Sequence, residues 1–97
     1  MENKYLIRLK ELTLAALKGQ PVKIILFGSR GRKDHHKRSD VDIGLLPQGK
    51  VDKKKILLLK EKIEGLNIPY KVEVVDFSVV SPDFKKQALK GASVWKD

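Results

Sequence analysis

The segment from Gly28 to Ile43 constrains this chain more than any other part of it. A Gly-Ser pair ends the apolar run 22–27, and a basic loop then leads to Asp40 and Asp42 at the start of a second apolar run. Side chains two residues apart on a strand lie on the same face, so the two carboxylates are predicted to lie side by side. Paired carboxylates next to a turn of small residues are a candidate site for a divalent metal ion and a phosphate chain.

Each of these features has an ordinary structural explanation. An acidic pair at the start of a strand is commonly part of a solvated turn, and Gly-Ser after a strand is commonly a tight turn. The combination of these features is more specific than either feature alone, because they occur in one fixed order: a strand, Gly-Ser, a basic loop, Ser-Asp-x-Asp and a second strand.

The segment resembles the signature of the minimal nucleotidyltransferases of the DNA polymerase beta superfamily. That signature reads roughly G-S-R-A-R-G, a short spacer and S-D-[IV]-D-L, and the matching positions here are Gly28, Ser29, Arg30, Arg32, Ser39, Asp40 and Asp42. Two positions depart from it. Gly31 replaces the usual alanine, and Lys33 puts a long cation where the family generally keeps a glycine.

The length and composition predict one domain over residues 1–97, which the resemblance identifies as a minimal nucleotidyltransferase domain. A chain of 97 residues with 41% hydrophobic and 34% charged residues is long enough to bury a modest core. Turn and capping signals predict the element order αβαβαβα. The predicted elements are a helix over 4–18, a strand over 22–27, a turn or short helix over 29–36, a strand over 41–46, a helix between Asp52 and Gly65, a strand over 70–77 and a last helix opened by Ser81 and Pro82.

These elements predict an α/β (α+β) protein with a small mixed three-stranded sheet, and the resemblance implies that this is the nucleotidyltransferase fold. The connection between the first two strands is short, which allows them to be antiparallel neighbours. The second and third strands are joined through a helix, which makes them parallel if they share a sheet. Val41, Ile43 and Leu45 are predicted to face the core. Trp95 is predicted to anchor the last helix by packing.

The resemblance implies that Asp40 and Asp42 are catalytic residues that bind two Mg²⁺ ions together with a third carboxylate. The third strand offers Glu73 and Asp76. Glu73 is preferred, because it lies near the start of a strand parallel to that of Asp42, whereas Asp76 lies further along and on the opposite face. The family usually has aspartate at this position, so Glu73 lengthens the ligand arm by one methylene.

The turn after the first strand is predicted to bind the triphosphate of ATP, the nucleotide donor. Gly28 lets backbone N–H groups approach the phosphates, and Ser29 adds a hydroxyl donor. Arg30, Arg32 and Lys33 are candidate triphosphate contacts, and Arg32 is the better match to the family. His35 and His36 are adjacent in a polar loop and diverge in direction, which disfavours joint metal binding.

The net charge of +9, from 21 basic and 12 acidic residues, favours anionic partners such as nucleotides, nucleic acid or an acidic protein. Nucleic acid is the less favoured partner, because the basic clusters lack interleaved aromatic residues. The absence of cysteine and of any long apolar run predicts a cytoplasmic protein without a membrane segment.

The resemblance implies an enzyme that transfers AMP from ATP to an acceptor. It further implies an antitoxin that binds a HEPN-type ribonuclease toxin and adenylylates it on tyrosine. Two alternatives remain open at this stage: a subunit of a transferase for aminoglycoside-like small molecules, and a non-catalytic module that neutralises a partner by contact. Four apolar residues of the terminal segments are predicted to exceed what one small sheet buries and to contact another chain: Tyr5, Leu6, Phe84 and Trp95.

Overall fold

A computed structural model of the chain describes residues 4–28 and 40–97. Its elements in chain order are α1 (Lys4–Ala16), β1 (Val22–Phe27), β2 (Val41–Pro47), α2 (Lys53–Glu64), β3 (Val72–Asp76), α3 (Pro82–Leu89) and β4 (Ser93–Lys96). The turn or helix predicted over 29–36 lies outside the described residues.

The strands form one mixed sheet in the order β3-β2-β1-β4. β1 and β2 are antiparallel neighbours, and β2 and β3 are parallel neighbours joined through α2. The predicted fold class and the orientation of these three strands are therefore confirmed.

The predicted number of strands is wrong, because β4 adds a fourth. It pairs antiparallel with the outer side of β1, with Ile25 opposite Val94 and Leu26 opposite Ser93. The strand has only four residues and its two apolar side chains are adjacent, so no alternating pattern reveals it in the sequence. Trp95 is 9% exposed and belongs to the main core, and β4 contacts α1. Trp95 thus anchors β4 rather than the last helix.

Alternation along the strands divides the apolar residues between the two faces of the sheet. Val41, Ile43 and Leu45 lie in the main core, as predicted, where α1 and α2 cover the sheet. The opposite face carries a smaller cluster formed by Ile25, Phe27, Leu46 and Phe77, against which Ala88 of α3 packs.

The predicted helix caps are confirmed. Asp52 accepts a hydrogen bond from the Lys54 N–H at 2.9 Å, and Ser81 accepts one from the Phe84 N–H at 3.1 Å with Pro82 at the start of α3. None of the helices in the described part of the chain combines the length and hydrophobicity that crossing a bilayer requires.

The expectation of surplus apolar residues is corrected in part. Leu6 is buried like Trp95, and Tyr5 is half-buried with its ring edge-on to Tyr70. Phe84 is 44% exposed, and other large apolar side chains are also exposed, namely Ile7, Leu57, Leu58, Val79, Leu89 and Val94.

Candidate active site

Asp42 lies at the centre of the candidate site. It is on β2, and β1 and β3 lie on either side of it. Its register partners are Phe27 on β1 and Glu73 on β3. Because partners in adjacent strands project to the same side of a sheet, Asp42 and Glu73 share the face that carries the smaller apolar cluster. Asp40, two residues before Asp42, is exposed at the entry to β2.

The electrostatic environment of Asp42 reflects this crowding. Burial beneath its neighbours raises the pKa of the Asp42 carboxyl above its usual 3.8, and the negative charges of Glu73 and then Asp40 raise it further. The Asp42 carboxylate is therefore repelled by two neighbouring carboxylates, and a bound cation would relieve this repulsion.

Gly28 brings the backbone against this carboxylate. Its φ of 72° lies in the left-handed region that favours glycine. A Cβ atom at this position would lie 2.6 Å from Asp42 Oδ2, so the Asp42 carboxylate would have to move to accept any other residue. The backbone at the end of β1 therefore lies directly against the Asp42 carboxylate.

Asp76, the alternative third carboxylate, lies further along β3 than Glu73. Asp76 pairs with Leu45, three positions beyond the Asp42–Glu73 pair. Its Oδ1 accepts hydrogen bonds from the Ser78 N–H at 2.9 Å and the Ser78 hydroxyl at 2.6 Å, so this carboxylate closes the turn after β3. Asp76 also lines a cavity of about 670 Å³ at that end of the strands, away from Asp42.

Lys71 is a charged neighbour of the site that the sequence interpretation missed. Its Nζ lies 3.6 Å from Glu73 Oε1, and its backbone carbonyl accepts a hydrogen bond from the Val41 N–H at 2.9 Å. The available signal was the two-residue spacing from Glu73, which places both side chains on one face of the strand.

The donor set suits a hard cation such as Mg²⁺, which prefers carboxylate oxygens. In residues 4–28 and 40–97, however, no three His, Cys, Asp or Glu side chains are close enough together to enclose a metal ion. Mg²⁺ usually takes one or two carboxylates and completes its shell with water and substrate phosphate, so Asp42 with one neighbouring carboxylate fits that requirement. Ser29, Arg30 and Arg32, predicted to bind phosphate, lie outside the described residues.

A family model described as "Polymerase beta, Nucleotidyltransferase" matches residues 11–97, and the chain belongs to this family. The predicted resemblance to the superfamily is confirmed. No curated protein matches the chain by sequence.

Three solved structures share the fold. A chain of a toxin–antitoxin complex with AMP-PNP superposes with a TM-score of 0.65 at 22% identity, over 89% of this chain and 71% of that one. A chain of an MntA-HpeT toxin–antitoxin mutant superposes with a TM-score of 0.64 at 21% identity, over 98% of this chain and 73% of that one. A chain of a complex between a tri-AMPylated HEPN toxin and its MNT antitoxin, from Shewanella oneidensis, gives 0.61 at 20% identity, over 92% and 66%. At these identities the likeness establishes the fold alone.

Proposed function

We propose that this chain transfers AMP from ATP to an acceptor, and that the acceptor is a tyrosine hydroxyl of a HEPN-type toxin to which the chain binds as an antitoxin. The observation that carries the proposal is the position of Asp42, between the Gly28 turn and Glu73, in a chain of the polymerase beta nucleotidyltransferase family. The Gly28 turn would approach the phosphates while the carboxylates hold the cation that accompanies them.

In this proposal Asp42 would hold Mg²⁺ together with one neighbouring carboxylate, Asp40 or Glu73. When bound, Mg²⁺ neutralises charge on the phosphate oxygens and orients the triphosphate. Gly28 would present backbone N–H groups to the phosphates, and Ser29, Arg30 and Arg32 would bind their oxygens. Catalysis would depend mainly on position and charge, as is general for phosphoryl and nucleotidyl transfer.

The reaction is a substitution at the α-phosphorus of ATP. The acceptor hydroxyl loses its proton to the solvent, and its oxygen forms a bond to the α-phosphorus. The bond from the α-phosphorus to the oxygen bridging to the β-phosphate breaks, and pyrophosphate leaves. The acceptor gains AMP, and no oxidant or reductant is required.

Two of the solved structures with a similar fold support a toxin as the acceptor. One contains a HEPN toxin carrying three AMP groups beside its MNT antitoxin, and another is a toxin–antitoxin complex with AMP-PNP. The exposed apolar side chains on all three described helices, together with the net charge of +9, suit association with an acidic protein.

The test is purification of the tagged chain from its native cell, followed by intact-mass measurement of each protein that co-purifies. The proposal predicts a partner whose mass exceeds its sequence mass by one or more AMP units. The modification should be lost with Asp42→Asn and retained with Asp76→Asn, a matched change in a carboxylate that only closes a turn.

Two other results would contradict the proposal. Recovery of an unmodified partner that the chain still neutralises would favour a non-catalytic binding module. Recovery of the chain without a partner, but active on aminoglycoside-like small molecules, would favour the small-molecule transferase.

A further inference from the structure

Two phenylalanine rings lie on the carboxylate face of the sheet, directly beyond Asp42. The rings of Phe27 and Phe77 are edge-on with centroids 5.2 Å apart. The Phe77 ring lies over Gly44, two residues after Asp42 on the same face, where a Cβ would meet Phe77 Cε1 at 2.8 Å. The apolar cluster therefore begins where the carboxylates end.

A third ring, that of Phe84, lies against the other two and remains open to solvent. Its centroid is 6.1 Å from that of Phe27 and 5.8 Å from that of Phe77. Phe84 is 44% exposed, whereas Phe27 and Phe77 are 6% and 4% exposed. The Ser81 cap fixes the Phe84 backbone in the first turn of α3, so an oriented aromatic ring is presented next to the site.

Phe27 links this ring to the carboxylates. It is the register partner of Asp42, and partner side chains in adjacent strands are about 5 Å apart at Cβ. Its ring centroid is also 6.1 Å from that of Phe84. Asp42 and Phe84 are therefore both neighbours of Phe27, which places an exposed ring on the same side of the sheet as the candidate phosphate site.

We propose that Phe84 is the stacking surface for the purine base of the nucleoside triphosphate, a role that rests on the proposed nucleotidyl transfer at Asp42. A base has a flat π face that an exposed ring can cover, and stacking on an aromatic side chain requires no hydrogen-bonding partner. Phe27 and Phe77 support the ring from the sheet.

The experiment compares two ligands and two substitutions. Phe84→Leu keeps an apolar side chain against Phe27 and Phe77 but removes the π face, and Phe84→Tyr keeps the ring. The ligands are α,β-methylene-ATP, whose α–β bridge resists cleavage, and inorganic tripolyphosphate, which has no base. Both are titrated calorimetrically in the presence of Mg²⁺, and melting temperatures confirm that each variant is folded.

Phe84→Leu should weaken binding of the ATP analogue about 5- to 100-fold and leave tripolyphosphate binding unchanged. Phe84→Tyr should bind both ligands as the wild type does. Val79→Ala, a change in an 81% exposed apolar residue outside the ring cluster, should alter neither.

Equal affinity of wild type and Phe84→Leu for the ATP analogue would overturn the stacking role and leave nucleotidyl transfer intact. An equal loss for both ligands, or a loss in Phe84→Tyr as large as in Phe84→Leu, would also overturn it, because the effect would not then depend on the ring and the base. Failure of the wild type to bind either ligand with Mg²⁺ would instead contradict the proposed function.

Discussion

At the scale of single residues, the position of Asp42 is unfavourable for a charged group when no cation is bound. Burial raises the pKa of this carboxyl, and Glu73 and Asp40 raise it further. A raised pKa in the folded state means that the folded chain holds the proton more tightly than the unfolded chain does. Ionisation of Asp42 therefore costs folding free energy, in the manner expected of a functional carboxylate.

This environment predicts a pH-dependent effect of Asp42→Asn on the stability of the metal-free protein. The cost of ionisation is absent well below pH 3.8, grows as the pH rises through the raised pKa and is constant above it. The variant should therefore melt above the wild type at neutral pH and at the same temperature well below pH 3.8. Thermal melts monitored by circular dichroism test this, and a variant less stable than the wild type at neutral pH would contradict it.

The close approach of Gly28 to Asp42 gives a second prediction at this scale. Gly28→Ala should cost about 1–2 kcal/mol for the left-handed backbone and a further amount for the contact with Asp42 Oδ2. Gly19→Ala is the matched control, because Gly19 has a φ of 81° but no atom within 4 Å of the added Cβ.

Urea denaturation of the two variants separates these contributions. Gly28→Ala should lose more stability than Gly19→Ala, and adding Asp42→Ala to Gly28→Ala should recover the difference. Equal losses in the two glycine variants would show that the contact with Asp42 carries no cost.

At the scale of elements, the central strands were predictable because their signals are local. The apolar runs 22–27 and 41–46 stand between clear turns, and Asp52 and Ser81 are strong helix caps. The parallel direction of β3 follows from the helix that precedes it, and this direction brings Glu73 beside Asp42.

The fourth strand and the pairing of Lys71 with Glu73 were not predictable in the same way. β4 exists because β1 offers an unpaired side and Trp95 fills space beneath α1, both of which are tertiary effects. Phe84 was identified as a residue in excess of the core, but the position of its ring beside Phe27 depends on how α3 packs on the sheet.

Trp95 should therefore contribute much of the stability of the β4 segment. Trp95→Ala should cost about 3–5 kcal/mol, the usual range for removing a large buried aromatic side chain. Val94→Ala, on the same strand but 52% exposed, should cost less than about 1 kcal/mol. Urea denaturation followed by circular dichroism measures both, and similar losses would show that Trp95 does not anchor the strand.

At the scale of the whole molecule, the net charge of +9 should act mainly on the rate of association. Attraction between oppositely charged proteins accelerates their encounter and is screened by salt. Association with the proposed partner should therefore slow as salt is added, with a much smaller change in dissociation. Surface plasmon resonance over a salt series measures both rates, and an association rate independent of salt would contradict an acidic partner.

The central claim is that the chain transfers the α-phosphorus of ATP together with its nucleoside. The most direct measurement incubates the chain, Mg²⁺ and the co-purified partner with ATP radiolabelled at either the α- or the γ-phosphate. We expect the partner to acquire the α-label and the γ-label to leave in pyrophosphate. Asp42→Asn and Glu73→Gln should abolish labelling of the partner, whereas Asp76→Asn should retain it. Labelling of the partner by the γ-phosphate, or undiminished α-labelling by Asp42→Asn, would contradict it.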